Sequence, residues 1–237
     1  MRQEQAHSGA RAETGRLTKV NRVAAVAFIL GGSLFALGAV FAQLGQVALL
    51  TVNITYLVGG FFFSLGGYVS ILLVVNTVDG RMRWWGYQPQ RRSWLSAAVL
   101  FVGTLLFAVS LVAAFAEGLT PRQSNGWIWL PDMLGCVCFL VSGRLAMLDV
   151  GDGHTVVRVH EITWWVVAVN QVGSILFLLA GIAAFTRPAT SSAVDVGLVN
   201  WGTFAGAVCF AIGGVIQIFD KPTPTRTVVR TDHDETQ

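Results

Sequence analysis

Charged side chains are scarce in this chain: only 12% of its 237 residues are Asp, Glu, Lys or Arg. An average soluble chain carries roughly 25% charged residues, whereas 54% of the residues here are hydrophobic. Too few polar side chains are present to cover a surface that faces water. The composition therefore excludes an ordinary soluble domain and predicts an integral membrane protein.

Motifs of catalysis and of cofactor binding are also missing. The sequence contains no GxSxG, HExxH or Walker sequence and no GxGxxG after a strand, which are signatures of nucleophile, zinc and phosphate sites. Its three cysteines, Cys136, Cys138 and Cys209, lie in apolar stretches, where a thiol behaves as a small hydrophobe. We therefore expect a protein that is not an enzyme and that has no cofactor or metal.

Six apolar stretches are each long enough to cross a hydrocarbon core of about 30 Å, which takes about 20 helical residues. The predicted spans are 23–44, 54–75, 94–115, 129–148, 164–185 and 197–219. Within them the only formal charges are Asp132 and Arg144. The predicted fold is all-α, a six-transmembrane-helix domain over residues 23–219. The short polar tails, 1–22 and 220–237, are expected to be disordered.

The distribution of basic residues predicts the orientation of the spans. Of the 16 Lys and Arg residues, thirteen lie in the two tails and in the connections that follow the second and fourth spans. Only Arg122 and Arg187 lie in the connections on the opposite side, and Arg144 is inside a span. Because basic segments are retained on the cytoplasmic side during insertion, both termini are predicted to be cytoplasmic.

The first span allows a second interpretation as a cleaved signal peptide. It follows a basic tail, and Val40-Phe41-Ala42 before Gln43 satisfies the small-residue rule for cleavage. The apolar run is longer than the usual signal-peptide core of 7 to 15 residues, and it also shares a motif with the other five spans. An uncleaved first helix is therefore the preferred prediction.

Every span carries a glycine, a phenylalanine four residues later and usually a small residue four residues beyond that. The triplets are Gly31, Phe35 and Ala39; Gly59, Phe63 and Gly67; Gly103, Phe107 and Leu111; Gly135, Phe139 and Gly143; Gly173, Phe177 and Gly181; and Gly206, Phe210 and Gly214. Positions i, i+4 and i+8 form one ridge of a helix. Helices in lipid associate through close approach at small residues, so we expect each Phe to fill a Gly notch on a facing helix.

The motif recurs at offsets of 72 and 70 residues in the odd-numbered spans and of 76 and 71 in the even-numbered ones. The unit is a helical hairpin, and the predicted bundle contains three of them, over residues 23–75, 94–148 and 164–219. The alternative is that the glycines mark the broken helices of a transporter site. That reading predicts interruptions in only two matched spans, whereas the pattern is present in all six.

The hairpin that runs from Val172-Gly-Ser-Ile-Leu-Phe177 to Asn200-Trp-Gly-Thr-Phe-Ala-Gly-Ala-Val-Cys-Phe210 resembles the YrhK-like membrane domain and related multi-pass proteins of actinobacteria. The resemblance is best over residues 94–219 and rests on packing residues. It implies a helical protein of the bacterial inner (plasma) membrane, and no activity follows from it.

A few polar residues inside the spans are candidates for a ligand or lipid contact. Arg144 lies near the cytoplasmic end of the fourth span, where its side chain can reach the headgroups. Asn170, Gln171 and Gln217 lie at a similar depth, and they either bond to neighbouring helices or form a polar pocket with Arg144. Asp132 follows a proline at the other end of the fourth span and is predicted to cap its first turn.

The leading functional hypothesis is a non-enzymatic accessory, scaffold or lipid-contacting protein. Its expected partners are the lipid bilayer and a membrane protein or a second copy of the chain, with no nucleic acid. The alternative is a small-solute transporter or channel that uses Arg144, Asn170, Gln171 and Gln217. A transporter requires these four side chains to converge on a water-accessible cavity near the midplane, whereas the accessory role leaves them at the interface or paired between helices.

The topology can be tested by cysteine labelling in intact cells. A cysteine introduced into the 76–93 loop is expected to resist a maleimide that cannot cross the membrane, because this basic loop is retained inside. A cysteine in the 116–128 connection should react and serves as the control. Labelling of the 76–93 loop from outside would reverse the predicted orientation.

Overall fold

The computed structural model describes residues 2–77 and 82–222, with side chains from residue 11 onward, and this part of the chain is helical with short connections. The helices are α1 (Arg2–Leu44), α2 (Leu49–Val75), α3 (Arg92–Ala113), α4 (Pro121–Ser124), α5 (Leu130–Val150), α6 (Ile162–Ala183) and α7 (Val196–Phe219), and a π-helical turn (Asn125–Trp129) joins α4 to α5. Six helical segments are long and apolar enough to cross a membrane. The prediction of an all-α, six-helix, multi-pass membrane protein is confirmed.

The six long helices form a closed ring. Each packs against the next one along the chain, and α7 packs against α1. A cleaved leader would remove α1 and open this ring. The outward faces are apolar, as the exposed stripe of Val102, Leu105, Val109 and Val112 on α3 illustrates. This outer surface therefore contacts lipid, and a binding site for a polar ligand would have to lie in the interior of the ring.

Six phenylalanine rings meet in the middle of the ring of helices. They are the second residues of the six triplets, Phe35, Phe63, Phe107, Phe139, Phe177 and Phe210, and together they are called the phenylalanine layer here. Neighbouring centroids in it lie between 5.1 Å, for Phe63 and Phe210, and 6.5 Å, for Phe139 and Phe177. These distances are within the range of favourable aromatic pairs. Every helix of the ring therefore contributes one side chain to a single central cluster.

The glycines that precede these phenylalanines bring the helices of each sequential pair close together. A methyl group built on Gly173 would lie 2.9 Å from the Gly206 carbonyl oxygen, and one built on Gly206 would lie 3.0 Å from the Gly173 oxygen. The same kind of contact joins Gly31 to Gly59 and Gly135 to Gly103. Each of the six glycines also borders the layer phenylalanine of the facing helix.

The glycines in the third position of the triplets lie between the sequential pairs. Gly67 faces Phe101 of α3, and Gly214 faces Ala25 and Ile29 of α1. Gly181 of α6 faces α5 at Met133 and Asp132. Gly143 of α5 faces Gln171 of α6. Each ridge thus takes part in two helix interfaces, because the first glycine and the third-position glycine of a triplet contact different helices.

The threefold repetition of the helical hairpin stays a sequence prediction.

The first helix is much longer than the predicted span. It begins at Arg2, so the prediction that residues 1–22 are disordered is wrong for residues 2–22. Leu17 and Asn21 are buried on this extension, because the helix continues past the apolar run and keeps one face against the bundle. Of the second predicted tail, 220–237, only residues 220–222 lie within the described part of the chain.

Asp132 does not cap a helix, contrary to the sequence interpretation. The helical segment begins earlier, at Pro121, where the Thr120 hydroxyl accepts a hydrogen bond from the Gln123 backbone N–H and Gln123 closes a capping box. The π-helical turn then carries the segment into α5 without a break. Asp132 therefore lies inside a continuous helix whose N-terminal groups are already satisfied.

The close glycine contacts predict a large effect of added side-chain volume. Gly206→Leu and Gly135→Leu are each expected to lower the free energy of unfolding by about 1 to 3 kcal/mol, because the new side chain must displace a facing backbone. Thermal melting in detergent measures the change. Gly15→Leu is the matched control, since nothing lies within 4 Å of a methyl group built there. Unchanged melting of both core variants would contradict the described packing.

Candidate functional site

Two cavities open on opposite sides of the phenylalanine layer. The Gln217 cavity lies toward the helix ends that include Asn21 and Asp220 and has a volume of about 260 Å³. The Asp132 cavity lies toward the helix ends that include Ala42 and Thr186, with a volume of about 350 Å³. Between them, a void of about 10 Å³ lies within the layer. The ring of helices is therefore hollow at both ends and closed in the middle.

A polar network joins α1 to α7 on the wall of the Gln217 cavity. The Gln217 side chain donates to the Asn21 amide oxygen at 2.9 Å. Asn21 in turn donates to the backbone oxygens of Gln217 at 2.9 Å and Asp220 at 3.1 Å. Asn21 is only 3% exposed. These bonds pair both the nitrogen and the oxygen of the Asn21 amide and join the first helix to the last.

Two serines make a similar junction between α3 and α5 in the same cavity. The Ser96 hydroxyl donates to the Ser142 backbone oxygen at 2.9 Å, and the Ser142 hydroxyl donates to the Ser96 backbone oxygen at 2.8 Å. Both residues are buried. Hydrogen bonds of this kind hold helices together where lipid provides no hydrophobic driving force.

Asn170 is less well satisfied than its neighbours. It lines the Gln217 cavity, and its amide oxygen is buried without a hydrogen-bond partner. A methyl group built on Gly213 would overlap this amide, so α7 approaches α6 closely at this point. This unpaired oxygen therefore lies against the backbone of α7 at Gly213 and is not open to the cavity.

The other two residues of the sequence hypothesis do not join this cavity. Arg144 is exposed and donates to the Thr155 hydroxyl at 2.6 Å in the following loop. Gln171 packs between α5 and α6, where its amide nitrogen is 3.5 Å from the Leu140 oxygen and its amide oxygen has no partner. Of the four residues, the structure therefore brings only Asn170 and Gln217 to one cavity. The four-residue transporter site expected from the sequence is not formed, and any route for a solute has to depend on the cavities themselves.

The Asp132 cavity was not foreseen from the sequence. Its polar wall includes Asn53, which donates to the Ala114 oxygen at 3.0 Å, and Asn200, which donates to the Gln43 side-chain oxygen at 3.0 Å. These bonds join α2 to α3 and α7 to α1. The wall also carries two side chains with titratable oxygens, the carboxyl group of Asp132 and the hydroxyl group of Tyr56.

The charge of the cavity walls has one sign. Asp149 and Asp220 line the Gln217 cavity and Asp132 lines the other, whereas no described Lys or Arg lines either cavity. Arg91 and Arg92 act on Asp149 and offset its charge, so the preference for cations over anions is inferred for the Asp132 cavity.

A simple spacing in the sequence identifies the cavity walls. Seven residues are close to two helical turns, so positions seven before and after each layer phenylalanine share its inward face. These positions are Phe28, Ser70, Leu100, Ala146, Asn170 and Gln217 in one cavity, and Ala42, Tyr56, Ala114, Asp132, Ala184 and Thr203 in the other. All twelve line a cavity. From the sequence, Asp132 was interpreted only as a helix cap, and its position seven residues before Phe139 on the inward face was missed.

Comparison with known proteins adds no further information on the site. The chain matches no protein-family model, no curated protein and no solved structure.

The two partly buried glutamines, Gln217 and Gln171, should respond differently to loss of their amides. Gln217→Leu is expected to destabilise the protein by about 1 to 3 kcal/mol, because it leaves the buried Asn21 oxygen without its donor. Gln171→Leu is the matched control and should cost less, since it also removes a buried acceptor that has no partner. Urea unfolding in detergent measures both changes. Equal losses would show that the network does not stabilise the α1–α7 junction.

Proposed function

We propose that this multi-pass membrane protein is a non-enzymatic transporter or channel in which the two cavities are halves of one route for a small solute. The observation that carries the proposal is their alignment: both lie inside the same ring of helices and both end at the phenylalanine layer. Phe139 and Phe210 line one side, and Phe35, Phe107 and Phe177 line the other. Only one thickness of aromatic rings separates the two cavities.

The phenylalanine layer has the properties of a closed hydrophobic gate. A polar solute in it would lose its water without gaining hydrogen bonds, which is costly. Apolar constrictions of this kind close pores by excluding water. The void of about 10 Å³ inside the layer is at the lower limit of the space that one water molecule needs, about 10 to 15 Å³. The described conformation is therefore a closed state.

The cavity walls offer the polar groups that a solute needs on each side of the gate. Asn170 lies seven residues before Phe177 on one wall, and Asp132 lies seven residues before Phe139 on the other. Gln217 adds a polar side chain to the first wall, and Tyr56 adds one to the second. Their presence supports a role in contact with solute or water.

An accessory, scaffold or lipid-contacting protein is the second candidate. It is favoured by the exposed position of Arg144, outside both cavities, and by the packing of Gln171 between two helices. These are the positions expected of residues that contact headgroups or join helices. Kinship with the YrhK-like membrane domain, a bacterial inner-membrane location and cytoplasmic termini remain part of the proposal.

Widening the gate should open the route. Phe107→Ala and Phe139→Ala are each expected to raise the conductance of planar bilayers in potassium chloride above that of the unaltered protein, because they remove rings that separate the cavities. If a variant lowers the barrier to ion passage through the layer by about 1.4 kcal/mol, the ion flux rises tenfold. Phe107 is only partly buried, so its replacement disturbs the fold less than that of Phe139.

Phe61→Ala is the control for these variants. Its ring is 65% exposed on the outer face of the bundle and contacts the ring of Phe62. It should leave conductance at the level of the unaltered protein. Folding of every variant is verified by size-exclusion chromatography and thermal melting, and Phe107→Leu provides a milder change of volume. Folded gate variants that remain at background conductance would refute the proposed route and leave the accessory role.

A further inference from the structure

The carboxylate of Asp132 is without a hydrogen-bond or ion-pair partner among the described residues. It lines the Asp132 cavity as the only charged residue of the described wall, and no described side chain or backbone group forms an ion pair or hydrogen bond with it. The nearby Gly181 has no side chain, and a methyl group built there would lie 3.4 Å from an Asp132 carboxylate oxygen. The carboxylate thus lies beside α6 at Gly181.

Aromatic side chains surround the same cavity. Trp129 is oriented by a hydrogen bond of 2.8 Å from its indole nitrogen to the Gly181 oxygen and by edge-to-face packing on Phe185, with centroids 5.1 Å apart. Tyr56 lines the opposite part of the ring, on α2, and its hydroxyl has no hydrogen-bond partner among the described residues. The floor is the phenylalanine layer. The wall therefore combines one carboxylate with several aromatic rings.

This combination has a defined chemical preference. A carboxylate inside an apolar bundle is costly unless a cation compensates it. Aromatic faces attract organic cations through their quadrupoles and are the usual recognition elements for quaternary ammonium groups. We propose that the Asp132 cavity binds a small organic ammonium ion, with Asp132 opposite its positive charge and Tyr56 and Trp129 against its apolar surface.

The alternatives fit the wall less well. A divalent metal ion such as calcium takes six to eight oxygen ligands, whereas most of this wall is aromatic or aliphatic and Asp132 is its one carboxylate. An anion would meet a negative charge with no described basic residue beside it. The inference deepens the proposed transport function and rests on it for the role of the ion as cargo. Binding itself is measurable without transport.

The test is calorimetric titration of the purified full-length protein in detergent with choline and with its uncharged isostere, 3,3-dimethylbutan-1-ol. Choline is expected to bind at least tenfold more tightly, because the two molecules share a shape and differ in charge. Asp132→Asn should abolish this preference. Tyr56→Leu should weaken choline binding, whereas Tyr56→Phe, which keeps the ring, should retain it.

Asp195→Asn is the matched control for the charge change. Asp195 is an exposed cap of α7 outside the cavity, and asparagine caps helices equally well, so choline binding should be unaffected. Melting curves verify that Asp132→Asn is folded. If this variant does not fold, the comparison of choline with its isostere on the unaltered protein still tests whether the cavity prefers a cation.

Several results would overturn the proposal: equal affinity for choline and its isostere, no choline binding, full choline binding by folded Asp132→Asn, or displacement of choline by equimolar potassium. The last result would assign the site to inorganic cations. Choline binding without conductance in the gate variants would refute the route and keep the site. Conductance without choline binding would refute the site and keep the route.

Discussion

Close backbone approach at paired glycines is the constraint on which the rest of this structure depends. Lipid tails provide no hydrophobic driving force between helices, so packing has to hold the bundle together. At Gly173 and Gly206 the facing carbonyl oxygens lie where a side chain would begin. Helices this close can direct their next phenylalanines, Phe177 and Phe210, to a common point, where the rings stack with centroids 5.4 Å apart.

The hollow ends of the bundle are a consequence of the same geometry. Six helices in a ring surround an axis that no helix occupies, so only large side chains can fill it. The phenylalanines do so at one level. Two turns away on the same faces, every side chain except Phe28 is smaller or polar, as with Ala146 and Ala184, and cavities remain. The motif that closes the centre therefore also determines where the bundle is open.

Polar residues inside the ring divide into two groups with different physical roles. The first group forms hydrogen bonds with backbone or side-chain groups of other helices and comprises Asn21, Ser96, Ser142 and Gln217. Such bonds stabilise the bundle because lipid provides no hydrophobic driving force between helices. Asp132 forms no such bond with any residue that the structure describes. Native proteins rarely leave buried polar groups unsatisfied without a functional reason. The second group is accordingly the more informative about ligands.

The sequence by itself determined the membrane class, the six helices and the Gly-x-x-x-Phe face of each, because hydropathy and helical period are properties of short segments. It misplaced the ends: the Arg2–Leu44 helix extends through the predicted tail, and Asp132 lies well inside the helical segment that begins at Pro121. Only the tertiary structure decided that the six faces meet in one layer and that Asn170 and Gln217 share a cavity without Arg144. It also decided that Asp132 lines a second cavity, since the partners of a side chain depend on which helices close the ring.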